Sequence, residues 1–123
     1  MIFKTGDFTL ASGLHSTFKI DCDEFTNDDL YSLALYSVKF LPDFKAVLGV
    51  PRGGVRFADQ MRKFVSPIGC VLVVDDVFTT GKSMIKFISE NNLDADNDVQ
   101  GLVIFARNQP MSWIRSIFTM SLS

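Results

Sequence analysis

Four consecutive aliphatic residues, Val71 to Val74, run straight into two aspartates, Asp75 and Asp76, and then into Thr79-Thr80-Gly81-Lys82-Ser83. An unbroken β-branched and aliphatic run of this kind suits a central strand covered on both faces. Covering both faces requires helices on either side, which commits the chain to an α/β architecture. The aspartates fall where that strand leaves the sheet, the edge at which open α/β sheets collect ligands. The hydroxyl residues and Gly81 then open a helix, where exposed N–H groups and the positive end of the helix dipole favour an anion. An acid pair followed by a phosphate cradle implies a ligand with both a diol and a phosphate. A ribose 5-phosphate fits.

Three other readings of the same residues are weaker. Gly81-Lys82-Ser83 resembles the end of a P-loop, but that motif needs a glycine five residues earlier, where this chain has Asp76. A carboxylate there would repel the phosphates that a P-loop wraps. Phosphate-accepting receiver domains also pair two acids at a strand end, but near the N-terminus and with a further aspartate and a lysine on later strands. A plain solvated turn would not need the repulsion of two adjacent carboxylates beside a buried strand.

The segment VLVVDDVFTTGKS, thirteen contiguous residues from Val71 to Ser83, resembles the phosphoribosyl-pyrophosphate (PRPP) signature of type I phosphoribosyltransferases. The resemblance implies that Asp75 and Asp76 are the catalytic acids, hydrogen-bonded to the ribose hydroxyls directly or through metal. It implies that Val77, Phe78, Thr79, Thr80, Gly81, Lys82 and Ser83 form the loop that wraps the 5-phosphate. Mg²⁺ would be the cofactor, associated with Asp75 and Asp76 through ribose hydroxyls or water.

Two further segments agree with it. The short apolar run Ala46–Val50 leads into Pro51-Arg52-Gly53-Gly54. There a proline fixes the turn, glycines allow close backbone approach, and an arginine offers a fork of donors to phosphate oxygens. Placed one strand–helix unit before the acid pair, it looks like the pyrophosphate loop of the same family, with Arg52 on the diphosphate. Phe8 to Asp21, FTLASGLHSTFKID, resembles the opening segment of orotate phosphoribosyltransferases. That likeness implies a base-covering role for Ser12, Gly13 and Phe18, with Ser16 and Asp21 in the same pattern. Many members carry lysine before the Ser-Gly pair, and this chain has Ala11, so one charged contact for an anionic base is missing. His15 reads first as an exposed turn residue. Trp113, near the C-terminus, reads either as a base-stacking aromatic, as in related purine transferases, or as an edge or dimer-contact residue.

The 123 residues suffice for one domain with one core. We divide them into a hood-like segment over 1–25 and an α/β core over 26–123. Thr26 is a fitting N-cap for a helix carrying Leu30, Leu33, Ala34, Val38 and Leu41, which stops near Pro42. Strands are expected at 8–12, 17–21, 46–50, 70–74 and 102–106, with helices at about 54–64 and 81–91. Strand, helix and strand in sequence argue for right-handed crossovers and a parallel sheet. The fold expected is therefore a three-layer open sheet, its parallel core flanked by helices, with a small N-terminal hood.

A net charge of −2 and scattered basic residues give no case for nucleic acid. Cys22 and Cys70 lack a CxxC or histidine partner, and Cys70 opens the core strand as a small buried hydrophobe. No signal segment or long apolar span is evident, so a cytoplasmic protein away from membranes is expected. The resemblance implies transfer of phosphoribose from PRPP to a nucleobase, an orotate-like pyrimidine being favoured, by a homodimer. The alternative is a non-catalytic PRPP- or nucleotide-binding sensor on the same fold. Only one helix and the Val65–Gly69 turn separate Gly54 from Val71. The flexible catalytic loop of orotate phosphoribosyltransferases has no room there.

Overall fold

The computed structural model describes residues 3–9, 15–93 and 98–120, with side chains described from Asp21 onward. An antiparallel hairpin of β1 (Phe3–Thr9) and β2 (His15–Ile20) comes first, followed by a 3-10 turn at Cys22–Glu24. The remaining elements are α1 (Asn27–Ser37), β3 (Phe44–Gly49), α2 (Val55–Met61), β4 (Cys70–Phe78), α3 (Lys82–Glu90), β5 (Val99–Ala106) and β6 (Ile114–Thr119). A 3-10 turn at Arg62–Phe64 extends α2. The four later strands form one all-parallel sheet in the order β3-β4-β5-β6.

Alternation along β4 explains the layers. Leu72 and Val74 face one side, packing with Leu102 and Ile104 against Leu30 and Ala34 of α1 and Phe57, Ala58 and Met61 of α2. Val73 faces the other side, where Val103 and Ile114 meet Met84, Phe87 and Ile88 of α3. Side chains of successive strand residues point to opposite faces, so an uninterrupted aliphatic run serves two cores at once. The three-layer parallel architecture expected from the sequence is the one observed.

Several boundaries differ from expectation, each for a local reason. The hairpin strands lie at 3–9 and 15–20 rather than 8–12 and 17–21. Phe3, Lys4 and Thr5 pair with Ile20, Lys19 and Phe18, and the irregularity between Thr5 and Phe8 absorbs Gly6-Asp7 within the strand. The first helix ends at Ser37 rather than near Pro42. The Ser37 hydroxyl donates to the Leu33 carbonyl at 2.8 Å, a local bond that competes with helix continuation, and the chain turns over 38–40. The central strand does not stop at Val74 but continues through Asp75 and Asp76 to Phe78. Asp75, Val77 and Phe78 pair with Val103, Phe105 and Ala106 of β5.

The N-cap expected at Thr26 is observed, and Asp29 makes it reciprocal. Thr26 Oγ1 accepts from the Asp29 amide at 3.0 Å, and Asp29 Oδ2 accepts from the Thr26 amide at 2.9 Å. Two otherwise orphaned donors are satisfied at once. Replacing Thr26 with alanine removes half of this arrangement and should lower stability by about 1 kcal/mol, with the denaturation slope unchanged, in urea unfolding.

Candidate active site

Three connections meet at the C-terminal edge of the parallel sheet. The loop 51–54 follows β3, the turn 79–81 follows β4, and Arg107 follows β5. This is the edge at which open α/β sheets bind ligands.

The first loop is fastened to β4. Val50 donates its amide to the Val74 carbonyl at 2.9 Å, and the Gly54 amide donates to the Val50 carbonyl at 2.8 Å. The chain therefore makes a tight turn and enters α2 without leaving the strand ends. The Pro51–Arg52 peptide is cis. Pro51 and Arg52 are exposed, leaving the guanidinium open to solvent, while Gly54 is buried. Gly53 lies against the acid pair. A Cβ built on it would fall within the Asp76 carboxylate, against Oδ2 and Cγ and 2.7 Å from Oδ1.

The acids sit on the last paired stretch of β4, so they are held by the sheet rather than by a flexible turn. Asp75 is 8% exposed, and its Oδ1 accepts from the Asp76 amide at 2.8 Å. Asp76 is half-buried and its Oδ1 accepts from the Val77 amide at 2.7 Å. Burial, reinforced by the neighbouring Asp76 carboxylate, pushes the Asp75 carboxyl up to about 8. Two adjacent carboxyls with little water cannot both ionise freely, so the pair retains a proton near neutral pH.

The turn after β4 leads directly into α3. Gly81, at φ +86°, caps α3 in a left-handed conformation that suits glycine, and its surroundings leave no room for a side chain beside Phe78 and Met111. Thr80, Lys82 and Ser83 are exposed, and Thr79 is half-buried. The Thr80 hydroxyl accepts from the Lys82 amide at 3.4 Å. Val77 and Phe78 belong to the strand instead, paired with β5, and the Phe78 ring is in the core beneath the turn. Their part in a phosphate loop is thus limited to the backbone.

The remaining expected residues fare differently. Ser12 and Gly13 lie outside the described residues. Phe18 is on β2, paired with Thr5. Trp113 is not brought to the site. It packs beside Gly101, with Met84 and Ile114 close by, near the start of β5. That is roughly 17 Å along the strand from Ala106, at about 3.3 Å per residue. A seven-residue connection, 107–113, returns the chain to the opposite end of the sheet, so a tryptophan that ends it serves the core.

Sequence reading passed over Arg107. It is 3% exposed, its amide donates to the Phe78 carbonyl at 3.0 Å, and burial lowers its guanidinium pKa. Its signal was its place directly after an apolar strand, at the same edge of the sheet as Arg52. Cys22, in the 3-10 turn, packs with Val77 and Phe105 beside the acids. Burial first, then Asp76, raises its thiol far out of the reactive range. Among the described residues no group of three or more histidine, cysteine or acidic side chains is placed to hold a metal by itself.

No family model matches the chain. It is 27% identical to the orotate phosphoribosyltransferase of Sulfurisphaera tokodaii over 132 aligned positions, which cover 85% of this chain and 67% of the relative. Against the enzyme of that name from Sulfolobus acidocaldarius the identity is 31%, covering 85% and 66%. The chain thus spans about two thirds of the length of these curated relatives. The crystal structure of orotate phosphoribosyltransferase from Aeropyrum pernix superposes with a TM-score of 0.69 at 28% identity, covering 96% of this chain and 88% of that one. The fold is that of the type I phosphoribosyltransferases. The chain is similar to orotate phosphoribosyltransferases in a shortened form, with only a short connection between Phe64, at the end of the turn that extends α2, and Cys70, at the start of β4.

The raised carboxyl has a signed consequence for stability. Between the ordinary value of 3.8 and about 8, the folded chain holds a proton on Asp75 that the unfolded chain releases. Stability therefore falls as pH rises through that window and the loss is complete above it. Asp75→Asn removes the titrating group, so its melting temperature should be several degrees above that of the parent at pH 9 and its pH profile flatter. Parallel melting curves from pH 5 to 9 check this.

Proposed function

We propose that this chain binds PRPP and transfers its phosphoribosyl group to a nucleobase nitrogen, releasing pyrophosphate. The observation that carries the reading is the meeting of an acid pair, a hydroxyl turn at a helix start and an arginine loop at one sheet edge. The similarity to orotate phosphoribosyltransferases supports it.

In this reading Asp75 and Asp76 accept hydrogen bonds from the ribose hydroxyls, and the backbone amides of Thr79 to Ser83 hold the 5-phosphate. Arg52 and the amides beside it hold the diphosphate. Charge-assisted bonds at both ends fix the anomeric carbon between them. The bond to the diphosphate oxygen breaks, the bond from the base nitrogen forms, and positive charge develops at the sugar ring. In this reading carboxylate charge close to the sugar would stabilise that positive charge.

Mg²⁺ is typically held by one or two carboxylates together with substrate phosphates and waters, and Asp75 and Asp76 fit that mode. When bound, it would neutralise charge on the departing diphosphate.

The base is proposed to be orotate or a related pyrimidine, as the relatives' names suggest. Arg107, directly after β5, adds a cation at the edge of the proposed site. We further propose a cytoplasmic protein acting without nucleic acid or membrane partners. Among the described residues no helix is long and apolar enough to cross a membrane, and Cys22 and Cys70 are free thiols.

A lid excludes water and completes charge stabilisation in closing enzymes. Lacking the loop, the isolated protein should bind PRPP with Mg²⁺ yet transfer slowly, below about 1 s⁻¹. Calorimetry with PRPP, followed by pyrophosphate release against a panel of bases, tests both halves. The double variant Asp75→Ala/Asp76→Ala should lose the Mg²⁺-dependent affinity and keep its circular dichroism spectrum. Unchanged affinity in that variant would refute the assignment, and binding with no base-dependent release would identify a sensor.

We also propose a twofold dimer. Tyr31, Leu35 and Tyr36 are exposed along α1, Phe40 follows them, and Ile68 and Phe118 are exposed elsewhere. Apolar surface of this extent fits an interface. Sedimentation velocity at micromolar concentration should show a dimer, and a monomer alone would exclude it.

A further inference from the structure

We infer that Gly53 is a positioning residue that seats Asp76, so that the diphosphate loop and the diol-binding acids form one coupled unit. The inference rests on the proposed PRPP reading and goes beyond it by linking the two halves of the ligand site.

The contact is defined by space. A Cβ on residue 53 would occupy the Asp76 carboxylate itself, overlapping Oδ2 and Cγ and reaching 2.7 Å from Oδ1. Gly53 is not among the residues with positive φ, so close approach and not backbone conformation demands glycine here. The Asp76 carboxylate has little freedom to retreat. Its Oδ1 is held by the Val77 amide at 2.7 Å, and the strand beneath it is paired with β5 at Asp75 and Val77. The loop has equally little freedom. It is clamped to the same strand by the Val50 amide on the Val74 carbonyl and closed by the Gly54 amide on the Val50 carbonyl. Two rigid elements meet through one glycine, and anything that moves either must move the other.

An obvious alternative is that Gly53 serves only the diphosphate, by letting its own backbone approach phosphate oxygens. The two roles part company when the ligand is divided. Inorganic pyrophosphate probes the loop, and ribose 5-phosphate probes the acids and the cradle. Both are titrated calorimetrically with Mg²⁺ into the full chain and its variants.

Gly53→Ala should weaken ribose 5-phosphate by roughly tenfold, the loss of one charge-assisted contact, although residue 53 belongs to the diphosphate loop. Asp76→Glu pushes from the other side. Its longer side chain enters the space over Gly53 and should weaken pyrophosphate by a similar factor. This second variant decides the matter even if the alanine variant does not fold, which circular dichroism reports. Loss of pyrophosphate affinity alone in Gly53→Ala, or undisturbed pyrophosphate binding in Asp76→Glu, would overturn the coupling and leave the proposed function standing. Failure of the parent chain to bind either probe would overturn both.

Discussion

Paired on both edges and covered on both faces, β4 is the element from which the rest of the molecule takes its position. Leu72, Val73 and Val74 are fully buried, and the strand is hydrogen-bonded to β3 through Val74 and to β5 through Phe78. Only a strand held this firmly can carry Asp75 into a nearly dry environment without bending away from it. Leaving the sheet early would rehydrate the carboxyl, but it would break the pairing of Asp75, Val77 and Phe78 with β5 and lift the Phe78 ring out of the core. The packing at Phe78 thus sustains the electrostatic strain at Asp75.

That balance explains what could and could not be read from the residues. The aliphatic run from Val71 to Val74, the hydroxyl turn and the Thr26 cap are local signals, and each appears where its chemistry puts it. The strand's continuation through two aspartates is not local. Aspartate is unfavourable in strands, so a boundary at Val74 is the natural reading. Tertiary pairing with β5 overrides it. The same holds for Trp113, whose place depends on which end of the sheet a seven-residue return reaches, and for Arg107, whose burial depends on what the last strands enclose. Neither can be known before the strand order β3-β4-β5-β6 is known. The acid pair and the arginine loop were legible because each follows an apolar run that could only be a strand. Their mutual contact, through Gly53, was not.

Under the proposed function the fold separates two demands. Holding an anionic sugar phosphate requires fixed donors, and the proposed donors lie on a sheet edge and a helix terminus that need no closing segment. Covering the reacting carbon requires a segment that moves, and the short connection from Phe64 to Cys70 supplies none. Under the proposed reading, binding and chemistry would thus rest on different parts of the family's architecture, and this chain retains the part devoted to binding.

The protonated state of the acids follows from the same division. With no ligand, Asp75 is buried beside a second carboxyl, and the proton it keeps near neutral pH relieves the repulsion between them. A ribose diol donates hydrogen bonds that favour the ionised form, and a divalent cation favours it more strongly. Under the proposed function, ligand binding and loss of that proton would be favoured together, and affinity should rise with pH across the interval in which stability falls. The two trends would have one cause, a carboxylate that the fold holds largely out of water.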